Sequence, residues 1–237
     1  SADVSGAAYP VTIDPDFATT STAGDTRIVI GSNAEKNYGA TTIIATGRFI
    51  ADTNVQRSLL KFDVSSINGT ATSVSFDLFI GDATYSYKDT IVDCYGISAA
   101  NGDWIEGTKN NATAGSGEPC WEAKKADGSG GVTTAWAGSD GLSTAGTDYV
   151  NSVVGYFTVP TVSLYAKVTA SINATLINSW ISGNNYGLLL KARTETGSNQ
   201  GFHFFTSEYA TEAYRPVLTV TYTAAAAGNP HYYYAQL

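Results

Sequence analysis

Apolar and polar residues alternate with a period of two along much of this chain. From Ser73 to Ile80, Val74, Phe76, Leu78 and Ile80 fall on one face and Ser75, Asp77 and Phe79 on the other, the pattern of a strand half-buried in a sheet. Further strands are predicted at Arg27–Ile30, Thr42–Thr46, Ser58–Val64, Thr90–Ile97, Gly155–Val159, Leu164–Val168, Phe202–Ser207 and Val217–Tyr222. Tyr186–Ala192 is continuously apolar, as a strand covered on both faces would be. Polar, turn-forming stretches such as 31–39 and 65–69 separate these runs at the spacing of sandwiches and barrels. One segment has helical spacing: Ile172, Leu176, Ile177 and Trp180 within Ala170–Ser182, stopped by Gly183. The expected fold is all-β, a jelly-roll-like antiparallel β-sandwich with one short helix.

Residues 98–147 break the strand rhythm. They are rich in Gly, Ser, Asn and Ala and hold Trp104, Trp121 and Trp136. A structureless run of that length is unusual inside a domain, so a long excursion with short strands of its own, pinned by its aromatics, is predicted. The expected organisation is an extended N-terminal arm over 1–24, the sandwich over 25–223 and a C-terminal assembly tail over 224–237. That tail ends in His231, Tyr232, Tyr233, Tyr234, Ala235, Gln236 and Leu237. Such an apolar, aromatic end suits a neighbouring subunit better than water, and the extended Tyr9–Pro15 segment could add to another chain's sheet edge. Both features point to self-assembly, as in a virion decoration protein or an extracellular filament subunit.

Composition narrows the partners. With 13 Lys and Arg against 21 Asp and Glu, the net charge is −8. A chain this acidic, without a basic cluster, lacks the electrostatic footprint of a nucleic-acid binder and of a protein that adsorbs to anionic lipid. No apolar run approaches the roughly 20 residues of a membrane-spanning helix, so no membrane insertion is expected. Only 14% of residues are charged, while Gly (24) and Tyr (15) are abundant, which favours strands and turns. The chain starts at Ser1 and contains no Met; a cleaved leader and a trimmed initiator both fit. Cys94 and Cys120 straddle the start of the excursion, and a disulfide or two unpaired, half-buried thiols fit them equally.

Candidate chemistry is sparse. Arg57, Asp63, Glu208 and Arg215 lie within or beside apolar strands, where low-dielectric surroundings demand paired charges; structural ion pairs are expected. Trp104, Trp121 and Trp136 admit two readings. Trp is usually largely buried, so they can anchor the Gly-rich excursion. Alternatively, exposed rings can stack on the apolar face of a sugar, with Asn101, Asp103, Glu106 and Glu122 taking its hydroxyls. No nucleophile–base constellation is apparent, and no spacing supports a glycosidase pair of Glu106 with Glu118 or Glu122. Catalytic residues are therefore not expected. Two Cys and two His give no metal-ligand spacing; a structural Ca²⁺ held by loop Asp, Asn and backbone oxygens is compatible with a jelly roll but has no assigned place.

Five stretches in order carry a family resemblance. They are Asn37-Tyr38-Gly39; the run from Arg57 to Ile67; Trp104-Ile105-Glu106-Gly107-Thr108; the run from Trp180 to Lys191; and Phe205 to Glu208 with Arg215 to Tyr222. Over about residues 25–223 the chain resembles the DNRLRE-type (disaggregatase-related) carbohydrate-binding β-sandwich of bacterial and archaeal surface proteins. The resemblance implies a jelly-roll sandwich that is extracellular or surface-displayed, without catalysis and with glycans as partners; the self-assembly reading adds a virion or cell surface as its location. Two functions are thus expected: a subunit of an assembled particle with glycan-binding capacity, or a carbohydrate-binding module that does not self-assemble.

Overall fold

The computed structural model describes residues 16–49, 54–84, 86–87, 90–158, 162–196 and 200–225. Ten strands form one continuous antiparallel sheet: β1 (Asp16–Val29), β2 (Ile43–Phe49), β3 (Asn54–Phe62), β4 (Gly69–Asp82), β5 (Ile91–Gly96), β6 (Gly155–Thr158), β7 (Lys167–Ser171), β8 (Leu188–Ala192), β9 (Gln200–Phe205) and β10 (Val217–Ala224). One layer runs β7–β4–β10–β1 and the other β1–β3–β8–β5–β6. The long β1 belongs to both. Its Asp16–Ser21 half pairs with β10, and its Thr22–Val29 half pairs with β3 after a register shift between Thr22 and Gly24. Such a bulge bends and twists a strand, which lets β1 turn the corner between layers. On the other side β2 and β9 pair with each other, β2 with the start of β3 and β9 with the end of β4. The sheet therefore curls around an inner core and leaves β6 and β7 as its outermost strands.

The inner core is built by the alternating faces. Phe76, Leu78 and Ile80 of β4 meet Leu60 and Phe62 of β3, Leu188 and Leu190 of β8, and Phe157 of β6. Phe62, Phe76 and Phe157 stack edge to face, with centroids 5.3 and 5.2 Å apart, the preferred geometry of aromatic pairs. Each such side chain contributes about 1.5–3 kcal/mol by leaving water. Leu189 and Leu59 point the opposite way, into a second core with Ile28, Trp104, Trp121 and Trp136. The excursion thus covers the outer face of the β1–β3–β8 layer, which is why Leu188-Leu189-Leu190 reads as continuously apolar in an antiparallel sheet.

Two expectations change. The helix is α1, Ala174–Ile181, with Ile177 and Trp180 buried; Ala170 and Ser171 instead belong to β7, opposite Phe76 and Ser75. A free edge of β4 was available to that segment, and Val168 and Ala170 alternate inward from it. Asn173 then starts the helix, its Oδ1 accepting the Thr175 N–H at 2.9 Å. Residues 16–24, expected in an arm, form the first half of the sandwich strand β1. The remaining arm, with Tyr9–Pro15, and the tail from 226 on, with His231, Tyr232, Tyr233, Tyr234 and Leu237, lie outside the described residues.

Candidate functional site

The excursion is held by buried polar hubs where a regular ladder is missing. Asn37, fully buried, accepts from the Gly39 and Lys109 backbone N–H groups and donates to the carbonyls of Glu106 and Pro119. This satisfies all of its amide's capacity and clamps the chain around Gly39, where an added Cβ would meet the Gly107 carbonyl oxygen at 2.4 Å. Asp148, also fully buried, accepts four bonds: from Asn101 Nδ2 and from the backbone N–H groups of Gly138, Ser139 and Thr144, at 2.8–3.1 Å. Asn101 in turn accepts the Ala137 N–H at 2.9 Å.

The three tryptophans stand in the second core at 2%, 6% and 4% exposure for Trp104, Trp121 and Trp136. The Trp104 indole donates to the Tyr186 carbonyl at 2.9 Å, and the Lys61 ammonium sits 4.7 Å from its ring centre. Trp136 donates to the carbonyls of Cys120 and Trp121. The Arg57 guanidinium lies 5.0 Å from the Trp121 ring centre. Rings this buried offer no open face for a sugar to stack on; here they anchor the Gly-rich loop. Their neighbours are scattered. Asn101 is buried, Glu122 is half-buried, and Asp103 is exposed and salt-bridged to Lys124 and Lys125 at 2.7 and 2.6 Å. Hydrogen bonds from those two ammonium groups hold the Asp103 carboxyl down at about 2.

Of the four charged residues expected in structural ion pairs, Arg57 and Arg215 lie beside carboxylates, Glu195 and Glu212. Arg57 makes a bidentate pair with Glu195 at 2.9 and 2.6 Å and donates to Ser143 Oγ at 2.8 Å and to the Gly141 carbonyl. Asp63 is exposed and caps a turn, accepting the Ser65 N–H at 2.9 Å; the Ser65 hydroxyl, and then this N–H, lower its carboxyl. Arg215 donates to the Tyr209 carbonyl at 2.8 Å and lies 3.7 Å from the exposed Glu212. Glu208 accepts from the Ser207 hydroxyl. The true partner of Arg57 is 138 positions away, a pairing made by the fold and invisible to local sequence. The disulfide reading also gives way: Cys94 lies in the inner core, Cys120 in a separate small cluster with Ala114, Ala123 and Ala126, and both are free thiols. Burial pushes both thiols up.

The clearest open feature is a cleft of about 860 Å³ where the curled sheet stays open, between β6 and β7. Tyr156, Thr158, Thr169, Ser171, Asn173 and Arg193 line it with Val153 and Ile172. Inward Phe157 forces its neighbour Tyr156 outward, where the ring is 54% exposed. The Arg193 guanidinium lies 5.5 Å from that ring's centre and is fixed by a bidentate pair to Asp93 at 3.0 and 2.6 Å. At the narrow end the Asn173 N–H donates to the Val154 carbonyl at 2.7 Å, and a Cβ on Gly155 would come within 2.6 Å of the Ser171 carbonyl oxygen. The sequence carried one signal for this site, the outward aromatic in Gly155-Tyr156-Phe157-Thr158.

Glu106 finds carboxylates beside it. Its Oε1 accepts the Asp25 N–H at 2.8 Å, and Asp25 Oδ2 accepts the Ser207 N–H at 2.9 Å. Burial, with the negative charge of Glu208 added, pushes the carboxyls of Asp25 and Glu106 each up to about 7. Asp25 was not singled out in the sequence, since a lone Asp in a strand carries no motif.

No curated protein matches the chain. The sequence model of carbohydrate-binding module family 96 matches residues 16–123, from the start of β1 through the first part of the excursion and ahead of β6 and β7. The match does not carry the DNRLRE-type name, but its kind agrees with that resemblance: over this segment, the chain is similar to a carbohydrate-binding family.

Proposed function

We propose that this chain is a non-catalytic carbohydrate-binding module acting outside the cell or at a surface, and that the β6–β7 cleft receives the polysaccharide. The observation that carries this reading is the exposed Tyr156 ring, which lines one cleft together with hydroxyl, amide and guanidinium groups. A pyranose presents an apolar face to an aromatic ring and hydroxyls to its surroundings; Thr158, Thr169, Ser171 and Asn173 supply donors and acceptors, and Arg193 a fixed cation. The cleft volume lies within the roughly 300–1,000 Å³ of ligand sites. The family match supports the ligand class. Among the described residues, no carboxylate lines the cleft, whereas glycoside hydrolysis uses a flanking pair. The family match favours this reading over the assembled-particle subunit, whose expected tail residues lie outside the described segment.

The test is a polysaccharide array followed by affinity measurement on Tyr156→Ala. The expected result is binding by the parent and at least a tenfold loss in the variant, equivalent to about 1.4 kcal/mol, with an unchanged melting temperature because the side chain is exposed. A parent that binds nothing across a broad panel, or a variant that binds like the parent, would overturn the proposal.

A further inference from the structure

We propose that Asp25, Glu106 and Glu208 form a binding site for a calcium-like hard divalent cation. Each residue offers an oxygen, and these oxygens all lie within 4.8 Å of one another. Two Ca–O bonds of about 2.3–2.6 Å reach between opposite ligands across a similar distance. The donors are all oxygens, without nitrogen or sulfur, which selects hard cations over transition metals.

Crowded carboxylates alone would not make a site. The second observation is Asp25 Oδ1, which is buried and has no hydrogen-bond partner among the described residues, on a side chain only 1% exposed. A buried carboxylate oxygen without a partner is costly. Its other oxygen is already occupied by the Ser207 N–H, and the neighbouring charge that acts on it, Glu208, is negative. The Thr22 hydroxyl lies beside the same carboxyl and adds a neutral oxygen. A divalent cation satisfies Oδ1 and offsets the three like charges together.

The three ligands come from distant parts of the chain. Asp25 lies just past the bulge of β1, Glu106 in the excursion after Trp104, and Glu208 in the turn leaving β9. Gly24 lets Glu106 approach: a Cβ there would stand 3.3 Å from Glu106 Cβ. A bound cation would tie the excursion to the sandwich at the corner where β1 changes layers.

The experiment uses the whole chain, without polysaccharide, so its outcome is independent of the glycan reading. Elemental analysis of protein purified without chelator is followed by EDTA stripping and thermal melts during Ca²⁺ titration. The expected result is either about one calcium retained per chain or a saturable rise in melting temperature with Ca²⁺. Glu208→Gln, at an exposed position that folding tolerates, should weaken the apparent Ca²⁺ affinity at least tenfold while melting no lower than the parent in EDTA. Absence of both retained calcium and a Ca²⁺-dependent shift in the parent would overturn the proposal. So would a Glu208→Gln variant that titrates like the parent.

Discussion

Replacing Trp104 with Ala separates a core anchor from a sugar platform. The ring is 2% exposed and lies against Gly187, whose φ of +90° and 3.1 Å spacing from a built Cβ to the ring leave no slack for collapse. Truncating a buried Trp costs about 3–5 kcal/mol. The lost indole bond to the Tyr186 carbonyl is part of that cost, and the Lys61 contact adds about 0.5–1 kcal/mol. The sum of about 5 kcal/mol is a large share of the roughly 5–15 kcal/mol stability of a domain. At about 2–4 °C per kcal/mol for this chain length, the melting temperature should fall by about 10–20 °C. Thermal unfolding followed by circular dichroism measures this, with polysaccharide affinity determined well below the transition. A fall of less than about 3 °C accompanied by lost polysaccharide binding would refute the reasoning, because it would place the ring at a ligand surface.

Two further outcomes follow from the same interior. Asp148→Asn keeps the shape but turns an acceptor oxygen into an NH₂ facing backbone N–H groups. With two part-buried bonds to a charged acceptor lost, urea unfolding should show a loss of about 2–4 kcal/mol; a loss under 0.5 kcal/mol would contradict the hub role. Cys94 and Cys120 should not react with Ellman's reagent in the native protein, and two thiols per chain should titrate after unfolding without reductant; fewer than two would indicate a disulfide.

Much of the sandwich was legible because its signal is local. Val74, Phe76, Leu78 and Ile80 face the inner core as their period of two required, since a strand's side chains alternate whatever lies beyond it. The family resemblance likewise rested on short ordered motifs, and a carbohydrate-binding family model matches their first part. The boundary between β7 and α1 was not legible, because Ala170 and Ile172 satisfy either period and only the open edge of β4 chose the strand.

Sequence alone therefore settled the antiparallel strands and the excursion between β5 and β6, both set by neighbours a few residues apart. Tertiary structure decided which charges meet. Arg57 found Glu195, Arg193 found Asp93, and Asp25 came to lie beside Glu106 and Glu208. It also buried the tryptophans and left Tyr156 in the open. Those outcomes depend on how a ten-stranded sheet curls and where it fails to close, and contacts between segments dozens of residues apart leave no mark in a local pattern.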